Sequence, residues 1–550
     1  MSNRLLQVIA LLITVVAATP ASQAIEAKNP NIIVVLCDDL GFGDLRCLNP
    51  EGKIATPNFD RLASEGVAFT DAHSGSSVCT PTRYGVLTGR YAWRTKLQSF
   101  VLGGLSPRLI EPGRETMATM LKSKGYNTAC IGKWHLGMNW KLLPGKDVSE
   151  LTIETPEQVH NVDYSAPITD GPNAVGFDYY FGISASLDMV PYCFIENDRV
   201  TALPTEEQEF PLFHERPTGK TRKGPTAPGF TTQSVLPELT KKTVEYIAQK
   251  GADARGGKPF YLYLPLNSPH TPVAPTSEWL GKSGLGPYGD FVMQTDDALG
   301  QLMAALDKEQ IRRDTLIVLT SDNGCSPQAD FPGLIKQGHN PSAHFRGNKA
   351  DVYDGGHRVP FIVSWPAGAR AGVKSDRLTC LTDIYATCAD IVKAPIADDA
   401  AEDSFSFLSA LTGERVAGQP ERTSIVHHSI NGSFVIREGN WKLAFCGDSG
   451  GWSNPRPGSG AADELPPLQL FDMAADPNER KNVQAEHSDV VAKLTAQMAK
   501  LVDDGRSTPG APQANAVAVE FRKPAAPNKA TSRATGKGKV PENPLANPFE

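Results

Sequence analysis

Four stretches of the chain are apolar at nearly every position: "NIIVVLC" at 31–37, "NTACI" at 127–131, "FYLYLPL" at 260–266 and "TLIVLT" at 315–320. A strand with one wet face alternates apolar with polar, so continuous runs of this kind predict strands buried on both faces. Between them the apolar spacing lengthens to a helical period, around 115–124 and 291–306. Strands and helices arranged in this way predict an α/β protein with a large central sheet, mixed but mostly parallel, flanked by helices. From about residue 418 the pattern shortens. "SIVHHSI", "SFVIREG" and "WKLAF" read as strands, followed by "LQLFDMAADPNERKNV" and a helix around 486–502, which together make a smaller sheet-plus-helix domain. The expected organisation is a main domain over 25–417, a C-terminal subdomain over 418–502 and a disordered tail over 503–550, where Pro, Ala, Gly, Ser and Lys take over.

The residues that follow each apolar run carry the chemistry. After 31–37 come Asp38 and Asp39, after 127–131 Lys133 and His135, after 260–266 Ser268 and His270, and after 315–320 Asp322 and Asn323. Open α/β sheets bind ligands beyond the carboxyl ends of their strands, so four separate segments deliver polar groups toward one edge. The Pro- and Gly-rich stretch from about 140 to 230 is expected to loop over that edge and shape a pocket.

Composition narrows the choice of ligand. With 40% hydrophobic and 21% charged residues the chain is an ordinary globular protein, and a net charge of −7 with no long basic run argues against nucleic acid or an anionic membrane as partner. The N-terminus has one arginine, an apolar run from Leu5 to Ala18, and small residues at Ser22 and Ala24, which is the form of a secretory signal over 1–24. The run is shorter than the ~20 residues of a spanning helix, so after cleavage no membrane attachment is expected and the protein is placed in the periplasm or outside the cell. The nine cysteines are odd in number and include no CxxC, which leaves at least one unpaired and disfavours a zinc cluster.

Cys79 stands in a polar loop at the head of "CTPTRYGVLTGR". Thr80 and Pro81 read as a helix cap and first turn, which would place Cys79 at the positive end of a short helix with Arg83 one turn on. Asp38, Asp39, Asp322 and Asn323 make an all-oxygen set suited to calcium or magnesium, although each pair alone would read as a turn or a cap.

The form C-x-P-[ST]-R followed by L-T-G-R resembles the signature of the type I sulfatases, a branch of the alkaline phosphatase superfamily. "GKWHLG" at 132–137, "SPH" at 268–270, "SDNG" at 321–324, "RGNKADVYDGGHRVP" at 346–360 and "LFDMAADPNE" fall in the family's order, so the resemblance spans about residues 29–500. The nearest flavour resembles the arylsulfatase A and N-acetylgalactosamine-6-sulfatase group. The resemblance implies that a formylglycine-generating maturation enzyme oxidises Cys79 to Cα-formylglycine, whose hydrate is the nucleophile. It implies one Ca²⁺ held by Asp38, Asp39, Cys79, Asp322 and Asn323, with Arg83, Lys133 and Lys349 stabilising the transferring sulfate. His270 or Lys349 would protonate the leaving oxygen, His135 would drive release of sulfate, and Ser186 in "GISASLDM" would contact the nucleophile. Asp354 stands where the family commonly has glutamate, and His339 and His344 precede Lys349 either as surface histidines or facing substrate. The expected substrate is a sulfated carbohydrate or an aryl sulfate ester. A phosphate or phosphonate monoester hydrolase and a non-catalytic binder of sulfated glycans are the competing readings.

Overall fold

The computed structural model describes residues 29–214, 219–415 and 418–522. The signal expected over 1–24 lies outside them. Strand Asn31–Asp38 is buried along its whole length. Its side chains divide by parity: Ile33 and Val35 enter the core on one face of the sheet, while Ile32, Val34 and Leu36 enter the core on the other. Leu262 and Leu264 against Tyr261 and Tyr263 divide in the same way, as do Ile317 and Leu319 against Leu316 and Val318. Two covered faces explain why these segments read as continuous apolar runs.

The main sheet has ten strands, which in spatial order begin at residues 373, 67, 361, 315, 31, 260, 127, 179, 195 and 199. The four strands legible in the sequence, Thr315–Ser321, Asn31–Asp38, Phe260–Pro269 and Asn127–Lys133, are spatial neighbours and run parallel. Strands lie about 4.8 Å apart, so four carboxyl ends fall within about 15 Å. Antiparallel strand Phe361–Ser364 pairs beside Thr315–Ser321 and makes the sheet mixed. Helices Thr232–Arg255 and Pro287–Lys308 cover one face, burying Leu239, Ile247, Phe291, Leu302 and Leu306. Helices Cys79–Thr88, Met117–Ser123 and Asp383–Ile391 cover the other, burying Leu87, Leu121 and Ile384.

Strands Ser424–His428, Phe434–Glu438, Trp441–Ala444 and Gln469–Asp472 form a separate antiparallel sheet. Helix Ser488–Asp503 closes it with Leu494 and Met498. The core of this unit also takes in Tyr91 and Trp93, the residues just beyond the Cys79 helix. Trp93 stacks on Tyr91 at 5.5 Å and meets Phe434 edge-on at 5.4 Å.

The composition of 503–550 suggested a loose tail, but residues 504–522 run back along the main domain. Ala514 and Asn515 accept hydrogen bonds from Arg90 (2.7 Å) and Arg94 (3.1 Å), and Phe521 packs edge-on against Phe445 at 5.0 Å. Buried arginines need acceptors whatever the local composition, and the chain supplies them here; residues 523–550 lie outside the described set. All nine cysteines are free, so no disulfide is present among the described residues. Among those residues no helix is long and apolar enough to cross a membrane.

Trp93→Ala should lower unfolding stability by about 3–5 kcal/mol, the cost of an emptied aromatic site. Urea unfolding followed by fluorescence checks this, and a loss below about 1 kcal/mol would show that the two units are held together elsewhere.

Candidate active site

Asp38 ends its strand, and Asp39 follows with φ at 65°. That left-handed turn is unusual for a residue with a side chain, and the Asp39 N–H is held by Asp322 Oδ1 at 3.2 Å. His135, with φ at 55°, donates its N–H to Ser184 O at 2.9 Å, and Ala350, with φ at 81°, donates to Ser77 O at 2.8 Å. Each strained residue is therefore tied to a different loop of the same edge, the arrangement by which a fold holds unfavourable backbone at a functional site.

Cys79 opens its helix, but the capping differs from the expectation: Val78 is the N-cap, in extended conformation and without a side-chain cap, and Thr80 Oγ1 instead accepts from Leu102 N at 3.2 Å. The Cys79 thiol is 2% exposed, with Sγ 3.8 Å from Asp38 Oδ1. One ligating atom from each of Asp38, Asp39, Cys79 and His270 lies within 4.8 Å of the others.

The buried carboxylates are matched one to one by cations. Lys133 Nζ is 2.8 Å from Asp38, Lys349 Nζ is 2.7 Å from Asp39, and Arg83 Nη2 is 2.7 Å from Asp322. Despite burial, the Lys133, His270 and Arg83 charges hold Asp38 well below the usual carboxylate range. Burial and the Asp38 charge push Asp322 up. A divalent cation between these groups would relieve that repulsion. The donors fit one: Asp39 Oδ2 and Asn323 Oδ1 are buried and without hydrogen-bond partners. All-oxygen ligands suit calcium or magnesium.

Arg83 and Lys133 lie deeper than expected. Arg83 spends its guanidinium on Asp322, Asp38 and the Lys133 carbonyl, and Lys133 bonds Asp38 and, at 2.6 Å, Ser186 Oγ. Both are wholly buried behind the acidic groups, whereas Cys79, His135, Ser186, His270 and Lys349 line an open cavity of about 260 Å³.

The two histidines are oriented by carbonyl oxygens, which only accept hydrogen bonds. His135 Nε2 donates to Leu102 O at 2.8 Å, leaving Nδ1 as the bare acceptor, which has no partner among the described residues. Burial, then the Lys133 and Arg83 charges, push the His135 pKa well down, so the ring is a neutral base. His270 Nδ1 bonds Thr271 O, leaving Nε2 3.7 Å from Asp39 Oδ2. Burial and Lys349 oppose charge on His270, yet Asp38 and Asp39 outweigh them and raise its pKa to about 9. The two rings thus differ in protonation, one a base and the other an acid.

Asp354 keeps its turn although shorter than glutamate. Its carboxylate takes Lys442 Nζ at 2.7 Å and Arg358 Nη1 at 3.0 Å, and its N–H donates to Glu479 at 2.7 Å. The turn then bonds the acidic loop through Gly324 N to Gly356 O at 2.9 Å. A Cβ on Gly324 would lie 1.9 Å from Gly355 O, so "SDNG" needs glycine for this approach, and a Cβ on Gly355 would lie 2.2 Å from Gly347 O, so "DGG" needs glycine against the Lys349 loop. His73, Asp354 and His357 also converge within 4.8 Å, but Lys442 Nζ lies 3.1 Å from His357 Nε2 and already holds a cation's place there. His339 is buried against Asp44 at 2.8 Å and His344 meets Phe345 in a tilted ring contact at 4.1 Å; neither lines the cavity. Sequence reasoning did not single out Asp188, Arg222, Gln328 and Trp452, which do line it. Only the loop-rich composition of 140–230 hinted at the first two.

The sulfatase family model matches residues 30–394, and the chain belongs to that family. It is 34% identical over 505 residues to the N-acetylgalactosamine-6-O-sulfatase of Bacteroides thetaiotaomicron, covering 85% of this chain and 92% of that protein. Identity to human arylsulfatase A is 29% over 471 residues, covering 83% of this chain and 84% of that one. A solved B. thetaiotaomicron structure, described with its metabolism of multiple glycosaminoglycans, is similar at a TM-score of 0.71 and 32% identity, covering 86% and 99% of the two chains. The protein is a sulfuric ester hydrolase.

Arg83→Met should leave Asp38 and Asp322 buried with one cation too few and cost about 3–5 kcal/mol at neutral pH. Losing the cation raises the folded-state pKa of those carboxylates, so the deficit is full above that raised folded pKa and shrinks as pH falls through it. Denaturant titrations of both proteins from pH 4 to 8 check this; a deficit independent of pH would assign the loss to packing instead.

Proposed function

We propose that this protein is an exported, calcium-dependent sulfatase that removes sulfate from a carbohydrate, with the hydrated formylglycine made from Cys79 as nucleophile. The observation that carries the reading is the pair of oppositely poised histidines opening on the cavity that holds Cys79. A carbohydrate substrate is supported by the likeness to an N-acetylgalactosamine-6-O-sulfatase. Export is supported by the pattern of residues 1–24.

Asp38, Asp39, Asp322, Asn323 and residue 79 would hold one Ca²⁺. Bound there, calcium would supply a Lewis acid that draws charge from the sulfate oxygens. One hydroxyl of the residue 79 hydrate passes its proton to the Asp38 carboxylate, whose Oδ1 lies 3.8 Å from Sγ of position 79, and attacks sulfur, while the S–O bond to the sugar breaks on the opposite side. Lys349, at the cavity wall, compensates charge on the sulfate, while His270 gives its Nε2 proton to the departing oxygen. Ser186 and Lys133 keep Asp38 in place beneath. His135 Nδ1 then takes the proton of the second hydroxyl; the C=O bond reforms, sulfate leaves, and water restores the hydrate. A serine has no second hydroxyl and would stop at the sulfated stage.

Mass spectrometry of the peptide containing residue 79, from protein made with a maturation enzyme, should show the aldehyde, and chelation should abolish turnover. Fully active protein with an unmodified thiol, or with no metal bound, would overturn the reading. His135→Ala should release a burst of aryl alcohol and then stall, with sulfate retained on residue 79 in the intact mass. His270→Ala should retain none and should lose more activity on sugar sulfates, whose alkoxide leaves poorly, than on aryl sulfates. Equal sensitivity of both variants to the leaving group, with no sulfated protein in either, would sink the division of roles.

A further inference from the structure

Away from the sulfate end, the cavity wall carries two charged side chains, Arg222 and Asp188, that make no close ion pair among the described residues. The Arg222 guanidinium has a single hydrogen bond, from Nη1 to Glu154 O at 3.5 Å, the limit of such a contact, and no close ion pair among the described residues, the buried Glu154 carboxylate being the acidic group that feels its charge. Asp188 Oδ1 is buried at the atom level and has no partner. Lys220, the other cation at this wall, is already paired with Glu209 at 2.5 Å. A half-exposed guanidinium that faces a cavity without a close ion pair is free to take a ligand anion.

The backbone around Arg222 is built rather than loose. Thr221 N donates to Phe210 O at 2.8 Å and Phe210 N to Thr221 Oγ1 at 3.0 Å. The buried Tyr192 hydroxyl donates to Arg222 O at 2.6 Å and lies 3.3 Å from Asp188 O, so one side chain ties both charged positions together. Another part of the cavity wall comes from the C-terminal unit, where Trp452 stands half-buried. Its backbone N–H donates to Asp351 Oδ1 at 2.8 Å, two residues beyond Lys349, so the backbone that carries the indole is held in register with the lysine at the sulfate end. An indole face takes the C–H face of a sugar ring, and a free guanidinium takes a carboxylate or sulfate in two parallel hydrogen bonds.

We propose that Arg222 and Trp452 form a subsite for a second anionic substituent, a carboxylate or a further sulfate, on the saccharide that carries the scissile ester, with Asp188 accepting from a hydroxyl or amide N–H of the same sugar. The inference rests on the sulfatase reading and narrows it to polyanionic saccharides.

Three substrates that share one scissile ester test it: a singly sulfated hexosamine, the same sugar with a second sulfate, and the same sugar joined to a uronic acid. The wild-type enzyme should favour one of the two doubly anionic compounds by about 10- to 100-fold in kcat/KM, the worth of a charge-assisted pair, and which one it favours tells sulfate from carboxylate. Arg222→Gln should erase most of that preference through KM, and Arg222→Lys should keep part of it. Trp452→Ala should raise KM for all three sugars more than for an aryl sulfate. Equal kcat/KM for the three compounds with wild-type enzyme overturns the subsite, and this arm needs no variant to fold. A loss in Arg222→Gln common to all three overturns it as well. Wild-type protein that hydrolyses neither the sugars nor an aryl sulfate brings down the sulfatase reading itself, whereas aryl sulfate turnover beside a flat sugar preference sinks the subsite alone.

Discussion

Three buried carboxylates facing three buried cations, Asp38 with Lys133, Asp39 with Lys349 and Asp322 with Arg83, are the constraint on which the rest of this structure depends. No one of these groups is tolerable in the interior without its partner, because an unpaired buried charge costs several kcal/mol. Each pair also joins segments distant in sequence, so satisfying the charges brings together the strand ends, the Cys79 helix and the Lys349 loop. The match leaves no net charge. A divalent cation added to it would make the pocket positive, which suits a sulfate ester and explains why so many cations gather around an acidic cluster.

The smaller sheet extends that constraint. Lys442, on strand Trp441–Ala444, reaches into the main domain to pair with Asp354 while also pairing with Glu479 of its own unit, and the turn they stabilise is bonded to the loop of Asp322 and Asn323. The Lys349 loop donates its own N–H to Cys325 O at 2.9 Å. The C-terminal unit thus fixes the Lys349 loop from behind and supplies Trp452 to the cavity wall. This double contact gives a physical reason for the shared core around Tyr91 and Trp93: a loose joint there would loosen the pocket.

The features legible in the chain were those with a local cause. Continuous apolar runs announce doubly covered strands, and the polar residues just after them announce a binding edge, since the carboxyl ends of parallel strands lie together. Cys79, Asp38, Asp39, Asp322 and Asn323 stood out because spacing and order carry them. The helix cap at Thr80 was misread because Leu102, 22 residues away, claims its hydroxyl. His339 looked like a loop histidine because its partner Asp44 lies 295 positions earlier. The stretch 504–522 looked featureless because what orders it is the need of Arg90 and Arg94 for acceptors, and that need is not written in the stretch itself.

By itself, then, the sequence determined the α/β class, the family and the set of groups that meet at the strand ends, since hydrophobic period and motif spacing are properties of short windows. Tertiary structure alone decided which side chains face the cavity and which lie behind it: Arg83 and Lys133 serve the carboxylates, while Arg222 and Trp452 line the cavity. It also decided the protonation of the two histidines, because a ring nitrogen becomes donor or acceptor only when a carbonyl, Leu102 O or Thr271 O, is brought beside it. Orientation and desolvation are properties of the packed neighbourhood, and no window of sequence contains them.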